Sequence, residues 1–176
     1  MAQASAMTPE SLVELLDVFD SEHIEVWLDG GWGVDALLRE HTRPHKDVDL
    51  IVRVGDLARL ASVLLRRSFV VVPGGTTTNI VYRSAGGLEI DIHAVEFDAS
   101  GNGNYLMENG KYWIFPAEGF VGRGSVGGRD VRCLTAEVQV LCHATGYTPT
   151  KKDINDMERL RARFGVVLPV HLRRQD

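Results

Sequence analysis

The sequence is short of several features that would each mark a class of protein. It contains only two cysteines in 176 residues. These, Cys133 and Cys142, stand in or beside a predicted strand and helix without the spacing of zinc ligands, so they read as buried, reduced thiols. No apolar run approaches the length of a membrane span, and Met1 to Met7 has neither a basic segment nor an apolar centre. The expectation is therefore no signal peptide, no membrane partner and a cytoplasmic location. Basic residues are not in excess either. A formal charge of −5 argues against nucleic acid as the main partner, because phosphate contacts need a basic face. There is no internal repeat and no low-complexity segment. Hydrophobic residues make up 44% and charged residues 24% of the chain, the balance of a soluble globular protein. The length suits one domain, or one domain with a small appended lobe, built on a real core.

The stretch Ile24 to Val54 carries most of the chemical information. An apolar run (Val26, Trp27, Leu28) meets a Gly30-Gly31 turn, a short helical pattern follows, and a basic loop leads to Asp47-Val48-Asp49 at the head of a second apolar run. Alternate residues of a strand share a face, so Asp47 and Asp49 point one way while Val48, Leu50 and Val52 point the other. Paired carboxylates repel and raise each other's pKa, which invites a cation. An isolated Asp-x-Asp would most simply be a strand whose acids face water. Here the glycine pair changes the reading: a Gly-Gly turn that opens a helix exposes backbone N–H groups to an anion. An anion cradle and a metal clamp in one unit are the two parts that nucleotidyl transfer requires.

The remaining chain reads as alternating helices and strands. Thr8-Pro9-Glu10 starts a helix with Leu12, Leu15, Leu16 and Phe19 on its buried stripe, and Asp56 is expected to cap a second, with Leu57, Leu60, Ala61 and Leu64 buried. Arg59, Arg66 and Arg67 form its solvated face. Phe69–Val72 and Asn79–Arg83 are predicted strands, and Ala85-Gly86-Gly87 turns the chain into a strand over Leu88–Phe97. On that strand Leu88, Ile90 and Ile92 share one face, and Glu89, Asp91 and His93 the other. Hairpins are expected around Asn109-Gly110 and Gly127-Gly128. Helices should follow from Thr135 to Ala144 and from Thr150, whose partner Asp153 completes a cap, to Gly165.

The strings Trp27-Leu28-Asp29-Gly30-Gly31-Trp32-Gly33-Val34-Asp35-Ala36-Leu37 and Thr42-Arg43-Pro44-His45-Lys46-Asp47-Val48-Asp49 resemble the signature of the antibiotic nucleotidyltransferases of the polymerase-beta-like superfamily. Ile90-Asp91-Ile92-His93, Arg132-Cys133-Leu134 and Gly146-Tyr147 with Lys152-Asp153 extend the likeness to about Leu160. It is strongest to the short lincosamide nucleotidyltransferases, with the aminoglycoside nucleotidyltransferases next. The resemblance implies an α+β nucleotidyltransferase fold: a mixed, twisted sheet with helices packed on one side and a small C-terminal strand and helix extension. One domain spans 1–176, with a core of about 8–97 and an acceptor-side extension of about 98–176.

The implied reaction is attack of a substrate hydroxyl on the α-phosphate of ATP or another nucleoside triphosphate, aided by Mg²⁺, with two ions expected. Asp47 and Asp49 are the candidate metal ligands. Asp91, mid-strand on the polar face and matching the family's position, is a third ligand, the general base, or both. Gly30 and Gly31 supply backbone donors to the nucleotide, and Arg43 and Lys46 pair with phosphate oxygens. Glu89 is a solvated residue or a substrate contact, and His93 a substrate contact or a histidine hydrogen-bonded near the core. Trp32 packs by default, His45 has no assigned role, and Lys151 and Lys152, which could reach the triphosphate, read as a solvated pair. Three functions stand side by side: a lincosamide-like acceptor; an aminoglycoside acceptor, which would need Glu89, Glu96, Glu108 and Glu118 around one pocket; and a protein-modifying or non-catalytic nucleotide-binding member. The chain is expected to be a monomer or homodimer.

Overall fold

The computed structural model describes residues 6–174. The expectation for Met1 to Met7 falls largely outside the described residues, as do Gln175 and Asp176. Among the described residues no helix is long and apolar enough to cross a membrane.

Thr8 opens α1 (Pro9–Ser21) by accepting the Ser11 N–H, and proline occupies the first turn, where a missing N–H is harmless. The apolar run at Val26 forms β1 (Val26–Asp29), which passes directly into α2 (Gly30–Leu38). The basic loop then leads into β2 (Asp47–Arg53), antiparallel to β1. A 3-10 turn at Val54–Asp56 precedes α3 (Leu57–Arg66). Contrary to expectation, the Asp56 side chain makes no capping bond to this helix. The preceding 3-10 turn already holds its backbone in the helical region, so the carboxylate turns to Arg59 instead, 3.4 Å away.

The strands β3 (Phe69–Val71), β4 (Asn79–Ser84) and β5 (Glu89–Phe97) complete the main sheet in the order β1-β2-β5-β4-β3. Only the β2–β5 pairing is parallel, which makes the sheet mixed as expected. Beyond His93 the place of β4 beside β5 is taken by β6 (Gly103–Leu106), itself paired to β7 (Tyr112–Phe115). A separate hairpin joins β8 (Arg123–Val126) to β9 (Arg129–Arg132) through Gly127 and Gly128, both at positive φ. The chain ends in α4 (Ala136–His143) and α5 (Lys151–Phe164). The α5 N-terminus carries a full capping box between Thr150 and Asp153, and Gly165 closes the helix in the left-handed conformation.

The period of two along the strands sorts the sheet into two faces. Val26, Leu28, Val48, Leu50, Val52, Ile90, Ile92 and Ala94 point to one, where α1 and α3 bury them. Trp27, Ile51 and Val95 point to the other, where Phe115, Phe120, Leu134 and Val138 cover them, so the extension lays α4 over part of the face that α1 and α3 leave open. A third cluster joins Val34 of α2 to Val140 of α4 and Met157 and Leu160 of α5. That arrangement leaves the end of the second face, where β1 meets α2, uncovered and facing the extension across a cleft.

Candidate active site

Three aspartates stand in one row across three strands. Asp29 of β1 pairs with Asp49 of β2, and Asp49 pairs with Asp91 of β5. Directly paired residues project from the same face of a sheet, so all three carboxylates leave on the side away from α1 and α3. Asp47, two residues before Asp49, joins them, and its own partner is Glu89. Sequence alone anticipated Asp47, Asp49 and Asp91 on a common face, and the register brings them together. Asp29 was missed, although it is buried and lines the cleft. The signal was present: it lies at even spacing from Trp27 on a strand whose other face is wholly apolar.

The crowding has an electrostatic consequence. Burial first, then the charges of Asp29, Asp47 and Asp91, push the Asp49 carboxyl well above its ordinary 3.8. Asp91 is raised by burial and by Asp47, against the opposing pull of His93 and a hydrogen bond donated by Asn79 Nδ2 at 3.2 Å. His93 Nε2 lies 3.9 Å from Asp91 Oδ1, and its buried Nδ1 has no hydrogen-bond partner among the described residues. His93 lines the cleft, edge-on to Tyr105. Glu89 does not line the cleft, and neither does Asp91, which stands beside the cleft-lining Asp49 in the register. The Glu89 carboxylate is held by Arg83, 2.6 Å away.

Gly30 and Gly31 both line the cleft, and the site's own groups crowd their backbone. The Gly30 N–H, expected to face an anion, donates to Asp29 Oδ1 at 2.7 Å. Gly30 adopts a φ of +56°, and a Cβ there would fall on the Asp49 carboxylate. At Gly31 a Cβ would meet His45 Nδ1 at 2.5 Å and Arg43 Nη2 at 2.8 Å. Both positions lack a side chain because the site's own groups close in on the backbone there.

Arg43 lines the cleft, and it is already engaged. It donates from Nη2 to Asp156 Oδ2 of α5 at 2.7 Å and from Nη1 to His45 Nδ1 at 3.0 Å. Burial lowers its pKa, but the bond and charge of Asp156, with Asp35 and Asp153, hold it above the ordinary value. His45, left without a role by the sequence, is buried, with Nε2 2.7 Å from Asp35 Oδ2. Asp35 also accepts from the Thr42 hydroxyl at 2.6 Å and the Thr42 N–H at 3.1 Å. Trp32 packs on His45 with ring centres 4.8 Å apart, in keeping with the packing role expected of it. Lys46 lines the cleft and makes no ion pair among the described residues.

The cleft is a cavity of about 960 Å³. Tyr105, Met107, Trp113 and Phe115 from the β6–β7 hairpin give the cleft an apolar wall, and His143, Tyr147, Lys152 and Asp153 also line it. Lys152 thus borders the site while remaining exposed.

A family model for aminoglycoside-2''-adenylyltransferase matches residues 11–160. The chain belongs to this family. A lincosamide resistance protein of Staphylococcus haemolyticus is 25% identical over 156 residues, covering 89% of this chain and 96% of that protein. The crystal structure of the lincosamide antibiotic adenylyltransferase LnuA, bound to lincomycin, superposes with a TM-score of 0.79 at 25% identity, covering 90% of this chain and 99% of that one. The structure of ANT(2'')-Ia in complex with adenylyl-2''-tobramycin superposes with a TM-score of 0.71 at 18% identity, covering 89% of each chain. The α+β nucleotidyltransferase fold is therefore established, and with the family comes its enzymatic class, nucleotidyl transfer. Each motif quoted for the resemblance lies within the matched residues.

Proposed function

We propose that this protein transfers AMP from ATP to a hydroxyl of a small antibiotic, with a lincosamide-like acceptor favoured, in a reaction that depends on Mg²⁺. The row of Asp29, Asp49 and Asp91 beside Asp47 carries this reading: Asp29, Asp47 and Asp49 line a cleft wide enough for a nucleotide and an acceptor, and Asp91 adjoins them in the register. The donor set fits a hard divalent cation: it consists of carboxylate oxygens, and the raised Asp49 pKa reflects a concentration of negative charge that a cation relieves. Asp47, Asp49 and Asp91 would hold two such ions, which when bound would stabilise the charge on the entering and leaving oxygens. The acceptor O–H gives up its proton as its oxygen bonds to the α-phosphorus, and the bond from that phosphorus to the β-phosphate oxygen breaks, releasing pyrophosphate. Asp91, paired with Asp49 in the register and flanked by the cleft-lining His93, is the carboxylate that takes the proton, serves as a ligand, or does both. Arg43, Lys46 and Lys152 supply positive charge to the triphosphate, and Gly30 and Gly31 let the backbone come close to it. His93 meets the acceptor.

Support for a lincosamide-like acceptor comes from the wall of Tyr105, Met107, Trp113 and Phe115, which suits a molecule with an apolar side. The aminoglycoside reading anticipated Glu89, Glu96, Glu108 and Glu118 around one pocket, and none of the four lines the cleft. It retains in its favour the family match and the fold shared with the structure in complex with adenylyl-2''-tobramycin. Incubation with ATP, Mg²⁺ and a panel of lincosamides and aminoglycosides, followed by mass spectrometry, decides between them. Adenylylated lincosamide supports the first reading, and adenylylated aminoglycoside alone replaces it with the second. An absence of adenylylated product from every acceptor sinks both.

A further inference from the structure

A line of four side chains runs from the back of α2 to α5 through the basic loop: Asp35, His45, Arg43, Asp156. We infer that His45 is a positioning residue for Arg43, holding the guanidinium from one side while Asp156 holds it from the other, so that Arg43 meets the nucleotide's phosphates as a pre-set donor. This rests on the reading of the cleft as a nucleotide site.

The hydrogen-bond roles along the line are fixed by chemistry. Arginine has only donors, so His45 Nδ1, 3.0 Å from Arg43 Nη1, must present its lone pair. The neutral ring then carries its proton on Nε2, which donates to Asp35 Oδ2 at 2.7 Å. Asp35 is itself fixed by two bonds from Thr42, and only 3% of its surface is exposed. Asp156, equally buried, receives Arg43 Nη2 at 2.7 Å and Nε at 3.4 Å. Of the five N–H groups of a guanidinium, one on Nε, one on Nη1 and one on Nη2 are thus engaged. Two are left, on a side chain that lines the cleft. A long cation that must grip a phosphate loses less freedom on binding when its orientation is already set.

The same residues invite a different reading. Ligand atoms of Asp35, His41 and His45 lie within 4.8 Å of one another, close enough for a cation. A metal on His45 Nε2 would move the ring proton to Nδ1 and set it against the donors of Arg43. The contact between Arg43 and His45 therefore excludes that use, and it explains why a buried histidine stands two residues before Asp47.

The test compares wild type with His45→Phe, which keeps the ring against Trp32 but removes both nitrogens, with His45→Asn, whose oxygen takes the place of Nδ1, with Arg43→Ala, and with the Arg43→Ala/His45→Phe double variant. Calorimetry with a non-hydrolysable ATP analogue and Mg²⁺ reads nucleotide affinity, and steady-state kinetics read the acceptor KM. His45→Phe should weaken nucleotide binding by about tenfold, the scale of one charge-assisted hydrogen bond, and leave the acceptor KM unchanged. His45→Asn should recover most of the loss, and the double variant should be no weaker than Arg43→Ala alone. Wild-type affinity in His45→Phe, or losses that add in the double variant, would overturn the inference. Nitrogen-15 shifts of the His45 ring in the ligand-free protein give an independent readout even if a variant fails to fold. A proton on Nε2 supports the relay, and a proton on Nδ1 ends it. Wild-type protein that binds no nucleoside triphosphate would overturn the nucleotide-site reading, while the ring shifts still judge the relay.

Discussion

Asp49 and Asp91 face each other across the parallel pairing of β2 and β5, and both carboxylates leave the sheet on the same face. Like charges directly opposite destabilise a sheet, so this pair is costly unless something occupies the space above it. If that occupant is a divalent cation bridging to a triphosphate, Asp47→Ala and Asp49→Ala should each lower kcat/KM by roughly a thousandfold or more. The fold should persist, because neither residue contributes to the apolar clusters. A coupled pyrophosphate-release assay with circular dichroism as control makes the measurement. Near-normal turnover in either variant would remove the metal site from its assigned place.

A second consequence follows for stability. Asp49 has a folded-state pKa well above its ordinary 3.8, so between the ordinary value and the raised one the folded protein binds more protons than the unfolded chain. Stability then falls as pH rises through the raised pKa, the reverse of a salt-bridged aspartate. Asp49→Asn removes this contribution. It should raise stability at neutral pH by about 1 kcal/mol and flatten the decline between acidic and neutral pH. Mg²⁺ should raise the melting temperature of the wild type at neutral pH and do so much less for the variant. Denaturant titrations at several pH values would show it, and an unchanged pH slope in Asp49→Asn would contradict the electrostatic account.

Asp91 has two candidate roles that kinetics can separate. Asn79 and His93 touch or face its carboxylate while Asp49 lies alongside on β2. If Asp91 acts as general base alone, Asp91→Asn should lower kcat by about 10²–10⁴-fold with the Mg²⁺ activation constant unchanged. If it is also a ligand, that constant should rise as well. A variant with normal kcat across the pH range would take Asp91 out of the chemistry.

Much of this arrangement is legible in the sequence because it is written in short-range patterns. A strand fixes which residues share a face, so Asp47 with Asp49, and Glu89 with Asp91 and His93, can be grouped from spacing alone. Turn and cap residues such as Gly127-Gly128 and Thr150 with Asp153 locate the hairpin and the last helix. What spacing does not encode is register between separate strands, and only the pairing of β1 with β2 brings Asp29 into the row. Nor does it encode which partner a polar side chain meets. Glu89 shares the face of Asp91 but is taken by Arg83, and Arg43 is gripped by a residue 113 positions away. The glycines show the same limit. Their need for a bare backbone is readable, whereas the groups that press on them, Asp49, His45 and Arg43, are not.

The wall of the cleft formed by β6 and β7 offers the sharpest test of what the acceptor is. Trp113 lines the cleft beside Phe115, with the two rings nearly perpendicular and 6.2 Å apart, while Tyr112 and Ile114 on the alternate positions of β7 face outward. An indole in that position contributes apolar area to whatever lies against it and makes no contact that changes during phosphoryl transfer. Its loss should therefore weaken ground state and transition state alike. Trp113→Ala is expected to raise the KM of a lincosamide acceptor by about tenfold, equivalent to about 1–2 kcal/mol of buried apolar surface, with kcat and the ATP KM close to wild type. A polycationic acceptor would respond differently: it would tolerate Trp113→Ala and instead lose affinity when Asp153, which also lines the cleft, is replaced by Asn, with circular dichroism controlling for the loss of its α5 cap. If the ATP KM rises and the acceptor KM does not, then the aromatic wall holds the nucleotide base instead of the acceptor.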